Sequence, residues 1–86
     1  MELQLALATC RVGGEAIAAV VHGEDKGKTE ARRFLRRYKK EGRANCLLFG
    51  EDLHTDAVAS RYLSERYPAL LDEEADAGVS YVEFAR

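Results

Sequence analysis

Hydrophobic and polar positions change their period several times along this chain, and each change marks an element. Leu3, Leu5 and Leu7 alternate with Gln4 and Ala6, the pattern breaks at Gly13-Gly14, and it resumes from Ile17 to Val21. A glycine pair adopts the positive φ angles that two-residue hairpin turns demand, so these runs predict a β-hairpin. With Val12 opposite Glu15 across the turn, Leu7 meets Val20 on one face, while Ala6, Ala8, Cys10, Ile17, Ala19 and Val21 gather on the other. Both faces are apolar and both need a cover, supplied by helices or by a second copy of the sheet.

The period then lengthens. Ala31, Phe34, Leu35 and Tyr38 follow the i, i+3, i+4, i+7 spacing of an amphipathic helix. Gly23 closes the strand before it, Asp25 or Thr29 is placed to cap its start, and Gly42 to end it. Ala44 to Phe49 (ANCLLF) is a short continuous apolar run, which predicts a central strand buried on both faces. Asp52 or Thr55 opens a second helix with Val58, Ala59, Tyr62, Leu63 and Tyr67 on one arc, interrupted by Arg66 and stopped by Pro68. Residues 68–77 (PALLDEEADA) read as a short helix with proline at its first position or as an acidic loop pinned by Leu70 and Leu71. Val79 to Phe84 alternates as a last strand at a sheet edge. The expected fold is one α+β (mixed α/β) domain over residues 1–86. It has a small four-stranded mixed sheet and two main helices in the order β-β-α-β-α-β, with Ala16 to Val21 parallel to Ala44 to Phe49.

Composition supports a folded chain: 47% hydrophobic and 33% charged residues with a single proline is a globular balance. A chain of 86 residues makes one modest core, burying about 60–65% of its unfolded surface. Cys10 and Cys46 sit in apolar runs without paired spacing, and no signal peptide precedes them; they are expected as reduced, buried thiols in a cytoplasmic protein. The longest apolar run, Ala16 to Val21, is too short to cross a bilayer, so no membrane partner is expected.

Charge alters the picture more. Lys26 to Arg43 (KGKTEARRFLRRYKKEGR) holds nine basic residues against two acidic ones, a local +7, so the rest of a chain of net charge −2 carries −9. Such a molecule is a strong dipole. Arg32, Arg33, Arg36, Arg37, Lys39, Lys40 and Arg43 lie off the apolar stripe and form the candidate contact surface. The bland reading is a solvated face, or one neutralised by Asp72, Glu73, Glu74 and Asp76. Against it, the like-charged pairs Arg32/Arg36, Arg33/Arg37 and Arg36/Lys40 each oppose the helix by about 0.2–0.5 kcal/mol. A helix needing only solubility would intersperse glutamates.

Other chemistry is weaker. The stretches VVHGEDKGKTEARRFLRRY and LLFGEDLHTDAVASRYLSERY share an apolar pair, Gly-Glu-Asp, Thr-acid-Ala, an aromatic-Leu pair and a later Tyr. Four carboxylates, Glu24, Asp25, Glu51 and Asp52, would meet at one end of two parallel strands, with His22 and His54 nearby, as weak candidates for Mg²⁺. Helix capping explains the same residues without a ligand, so no cofactor or metal is expected. GEDKGKT (23–29) is one residue short of the phosphate-loop spacing GxxxxGK[ST] and carries two acids where phosphate would lie, leaving Lys26 and Lys28 as weak anion contacts. No serine stands in GxSxG and no metal-ligand histidine spacing occurs. Three functions rank in order: a non-enzymatic regulatory protein contacting nucleic acid or a nucleoprotein through the basic helix; a protein-interaction module docking that helix on an acidic partner or a second copy; and a carboxylate-rich metal enzyme. Separately, the two apolar faces of the hairpin predict a homodimer pairing through Ala6, Ala8 and Ala19. Phe34 and Tyr38 belong to the apolar stripe, so no exposed aromatic is expected among the arginines, which disfavours single-strand stacking.

Overall fold

The sheet is built around the last strand of the chain. The computed structural model describes residues 8–11 and 16–85, as strands β1 (Ala8–Arg11), β2 (Ile17–Val21), β3 (Ala44–Phe49) and β4 (Val79–Phe84), and helices α1 (Lys26–Lys40) and α2 (Val58–Arg66). Short 3₁₀ turns cover Gly50–Asp52 and Pro68–Asp72. The order across the sheet is β1-β2-β4-β3. Three longer strands, β2, β4 and β3, form its body, and the four residues of β1 pair along the outer side of β2.

An α+β fold with two helices is therefore observed, but not the expected mixed four-stranded sheet. Every strand pairing is antiparallel. β2 and β3 do run in the same direction, as expected, but with β4 inserted between them and opposed to both. The strand expected at an edge is thus central and the strand expected to be central is at an edge. Ser80 and Glu83 make β4 look half-solvated in sequence, yet both are buried because each finds a polar partner. β3 alternates instead, with Ala44, Cys46 and Leu48 buried and Asn45 exposed, and a register shift between Ala44 and Cys46. The first hairpin is also shifted: Thr9, not Leu7, lies opposite Val20. A two-residue shift keeps each residue on its expected face. The expectations on Leu3, Leu5, Leu7, Ala6, Val12, Gly13-Gly14 and Glu15, and on the side chains of Ala8 and Cys10, lie outside what is described.

Each face of the sheet has its own core. Ala18, Val20, Ala44 and Val82 pack with Leu35 and Tyr38 beneath α1. Ile17, Ala19, Cys46, Leu48 and Tyr81 pack with Leu53, Leu63, Tyr67 and Leu70 from the second half of the chain. Ala19 is therefore buried under its own chain. The second helix starts at Val58, not at Asp52 or Thr55: Asp52 lies in the 3₁₀ turn, and the Thr55 hydroxyl bonds the Asp52 carbonyl at 2.6 Å while accepting the Ala57 amide at 3.2 Å. Val58 is 83% exposed, off the expected apolar arc, and Ser60 and Leu63 are the buried positions. Pro68–Asp72 takes the short-helix alternative, with Leu70 buried and Leu71 exposed. No helix among the described residues is long and apolar enough to cross a membrane.

Candidate polyanion-binding face

α1 is held by the stripe that its sequence predicts. Ala31, Leu35 and Tyr38 are buried, and the Phe34 ring stacks on Tyr38 at 5.9 Å, with Phe84 edge-on to Tyr38 at 6.3 Å. A buried Leu contributes about 1.5–3 kcal/mol, so the repulsion between like charges on the outer face is outweighed by the packing of the inner one. The helix ends as expected: Gly42 takes φ +81°, its amide bonds the Lys39 carbonyl at 3.0 Å and the Arg43 amide bonds the Tyr38 carbonyl at 3.1 Å. These are the paired bonds of a glycine-terminated helix. The start differs. Asp25 occupies the cap position, but its side chain makes no capping bond, and Thr29 lies inside the helix. Gly27 is in the first turn, where a Cβ would stand 2.4 Å from the His22 carbonyl oxygen. GEDKGKT is thus a tight helix-on-strand joint in which Lys26 and Lys28 belong to the helix, not a loop wrapped round a phosphate.

Six of the seven candidate cations fall into two rows on α1, and Arg43 lies beyond its end. At about 100° per residue, Arg32, Arg36 and Lys39 share one flank of α1, and Arg33, Arg37 and Lys40 its solvent side. Phe49 of β3 identifies the first flank: Arg32 and Arg36 place their guanidinium carbons 4.2 and 5.0 Å from the centre of its ring. An aromatic from outside the helix is therefore set against these arginines by another strand. Arg32 is committed. Its side chain is 16% exposed, it bonds the Glu51 carboxylate, and its Nε is buried with no hydrogen-bond partner among the described residues. Glu51 is held below its ordinary pKa chiefly by that bond, helped by the charges of Arg32 and Lys28. Arg43 pairs with Glu41 at 3.4 Å and lies 6.0 Å from the Tyr38 ring centre. Arg33, Arg36, Arg37, Lys39 and Lys40 are exposed, and none is in an ion pair among the described residues.

The two Gly-Glu-Asp junctions meet at one end of the sheet, on either side of the turn into β4. The His22 and Gly23 amides bond the Gly78 carbonyl at 2.9 and 3.0 Å, and the Asp76 amide bonds the Gly50 carbonyl at 3.1 Å. A Cβ on Gly50 would stand 2.0 Å from the Asp76 carbonyl, so this closeness requires glycine. Among the described residues, however, Glu24, Asp25, Glu51 and Asp52 do not come together as a group that could hold a metal ion. Neither histidine is plain polar surface. His22 is buried, with Nδ1 donating to its neighbour Gly23's carbonyl at 2.7 Å and Nε2 at 2.9 Å from the Ser80 hydroxyl. His54 stands at φ +69°, with its ring on the Glu73 carbonyl.

Sequence reasoning missed the buried acid. Glu83 is 2% exposed, yet it accepts bonds from Tyr62 Oη at 2.9 Å, from Arg66 Nε at 3.2 Å and from Tyr67 Oη. Burial pushes its pKa up, but these three donors outweigh that and leave it below the ordinary value. The Tyr62 phenol is raised in turn, chiefly by its bond to Glu83, and Tyr67 by burial and then by the same carboxylate. Cys46, opposite Glu83 in the sheet, is a free buried thiol, raised by burial and then by the Glu83 charge. Two anomalies in the sequence were the signal: Arg66 interrupts an apolar helical arc, Glu83 interrupts an apolar strand, and each is the other's partner. No protein-family model, curated protein or solved structure matches this chain.

Proposed function

We propose that this is a non-enzymatic binding protein of the cytoplasm that lays the outer face of α1 along the phosphates of a nucleic acid or nucleoprotein. The observation that carries the reading is the row of exposed cations, Arg33, Arg36, Arg37, Lys39 and Lys40, without an ion pair among the described residues, on a helix whose inner face is packed against the sheet. Cations so placed release counterions from a phosphate backbone at little cost in ordering the protein. Lys26 and Lys28 extend the row toward the helix start. Reversing Arg33 and Arg37 to glutamate abolishes duplex binding, read by fluorescence anisotropy, while far-UV circular dichroism stays unchanged. The logarithm of affinity falls with that of salt by about 0.9 per phosphate contacted. Unchanged affinity in the double variant would sink the reading.

A second reading has its own support. The acidic residues Asp72, Glu73, Glu74 and Asp76 are exposed and form no ion pair with α1 among the described residues; Leu70, which anchors that segment, packs on the opposite face of the sheet. An acidic partner, or the acidic segment of a second copy, then takes the place of phosphate. Salt-sensitive sedimentation of the protein alone, lost in the same double variant, distinguishes this outcome.

A further inference from the structure

The exposed side of β3 is the least covered backbone in the body of the sheet. β3 bonds β4 along one side only, and among the described residues no strand lies against the other. An edge of this kind carries alternate amides and carbonyls free to pair with another extended chain. What surrounds it is unusual. The flank of α1 carrying Arg32, Arg36 and Lys39 lies toward β3: two of these guanidinium groups sit over Phe49, and Lys39 follows them on the same flank. Arg43 leads directly into the strand. Only two carboxylates engage this row among the described residues, Glu51 on Arg32 and Glu41 on Arg43, leaving Arg36 and Lys39 open.

Two consequences follow from charge. A second copy of β3 pairing antiparallel across this edge would bring two rows of cations together on one face of the joined sheet, which like-charge repulsion opposes. An acidic chain meets the opposite situation. Residues two apart in a strand lie about 7 Å apart on one face, and Arg36 and Lys39, three apart on the helix, are separated by about 4.5 Å of rise, a difference that their long side chains span. Glu51 shows within this chain how a carboxylate seats there: against the Arg32 guanidinium, itself stacked on Phe49.

We propose that the open edge of β3 binds an acidic, extended peptide segment as an added strand, with carboxylates facing Arg36 and Lys39. This mode shares Arg36 and Lys39 with the phosphate reading, but it adds main-chain pairing and does not use Arg33, Arg37 or Lys40. Main-chain bonds supply the affinity, and the cation row selects acidic sequences and rejects basic ones. The bulge between Ala44 and Cys46 limits the pairing to the stretch from Cys46 to Phe49.

The test uses a capped peptide of alternating glutamate and valine, about eight residues long, enough to span the strand. Binding is measured by titration calorimetry at low salt, and its place by amide exchange. The expected result is binding that slows exchange at alternate amides between Cys46 and Phe49. Methylating alternate peptide nitrogens keeps the charge but removes main-chain bonds, and weakens binding about tenfold or more. Arg36→Glu with Lys39→Glu does the same, whereas Arg33→Glu with Arg37→Glu leaves peptide affinity within about twofold. Absence of binding, equal affinity of the methylated peptide, or protection confined to other strands overturns the proposal. Because the Arg33/Arg37 reversal addresses the outer row alone, loss of duplex binding there with peptide binding intact separates the two functions.

Discussion

Glu83 accepts three side-chain hydrogen bonds while being almost fully buried. A carboxylate buried in a sheet is tolerated only when its lone pairs are engaged, and here two phenols and a guanidinium engage them. Glu83→Gln keeps the shape but removes the charge; the expected cost is about 1–3 kcal/mol in urea denaturation. The pH dependence has a definite sign. Because the folded state depresses this carboxyl, its contribution is complete above the ordinary glutamate range, near pH 4.3, and is lost as pH falls through the depressed value. Wild-type stability should therefore drop more steeply on acidification below about pH 5 than that of Glu83→Gln. Parallel curves would show that the carboxylate is not engaged as described. Cys46, buried and raised, should react with a thiol reagent only as fast as the fold opens, so that added urea accelerates labelling.

Glycines at element boundaries show packing overriding local propensity. Alanine favours a helix interior over glycine by about 1 kcal/mol, so propensity alone says that Gly27→Ala stabilises α1. The Cβ would meet the His22 carbonyl at 2.4 Å, and the expected result is a lower melting temperature. A higher one would mean that the joint between β2 and α1 yields easily. The amphipathic period of α1 and its glycine terminus were legible in sequence because both depend on neighbours within a few residues, Ala31 to Tyr38 and Gly42. So was the common direction of β2 and β3, which follows from a crossover helix between them. Strand order was not. It depends on whether Ser80 and Glu83 find partners some twenty to sixty positions away, such as Tyr62 and His22, and local pattern carries no record of that. The same limit hid Phe49, an aromatic that reaches Arg32 and Arg36 only after β3 has taken its place at the edge. The solvent row of the candidate site could be read from the wheel, while the division into two rows with different neighbours could not.

On the scale of the molecule, positive charge lies on α1 over one face of the sheet, and the acidic segment 72–76 follows Leu70 on the other. Raising salt should therefore weaken any partner bound to α1 or to the acidic segment more than it weakens the fold itself. A matched series of melting curves and binding titrations at several salt concentrations checks this: equal sensitivity of both would mean that the charges act mainly within the chain. Both cores also share one dependence. β2 and β3 are not paired with each other; each joins the ladder of the sheet through β4, the last strand of the four. During synthesis, therefore, β2, α1, β3 and α2 can all leave the ribosome and still have no sheet to close, because Ile17, Ala18, Cys46 and Leu47 wait for Val82 and Glu83. A ribosome stalled before Val79 should hold a chain that proteases cut throughout, and release past Phe84 should convert it to the resistant form in one step. The order of emergence from the ribosome thus makes the final strand the keystone, and no earlier stretch is expected to fold stably without it.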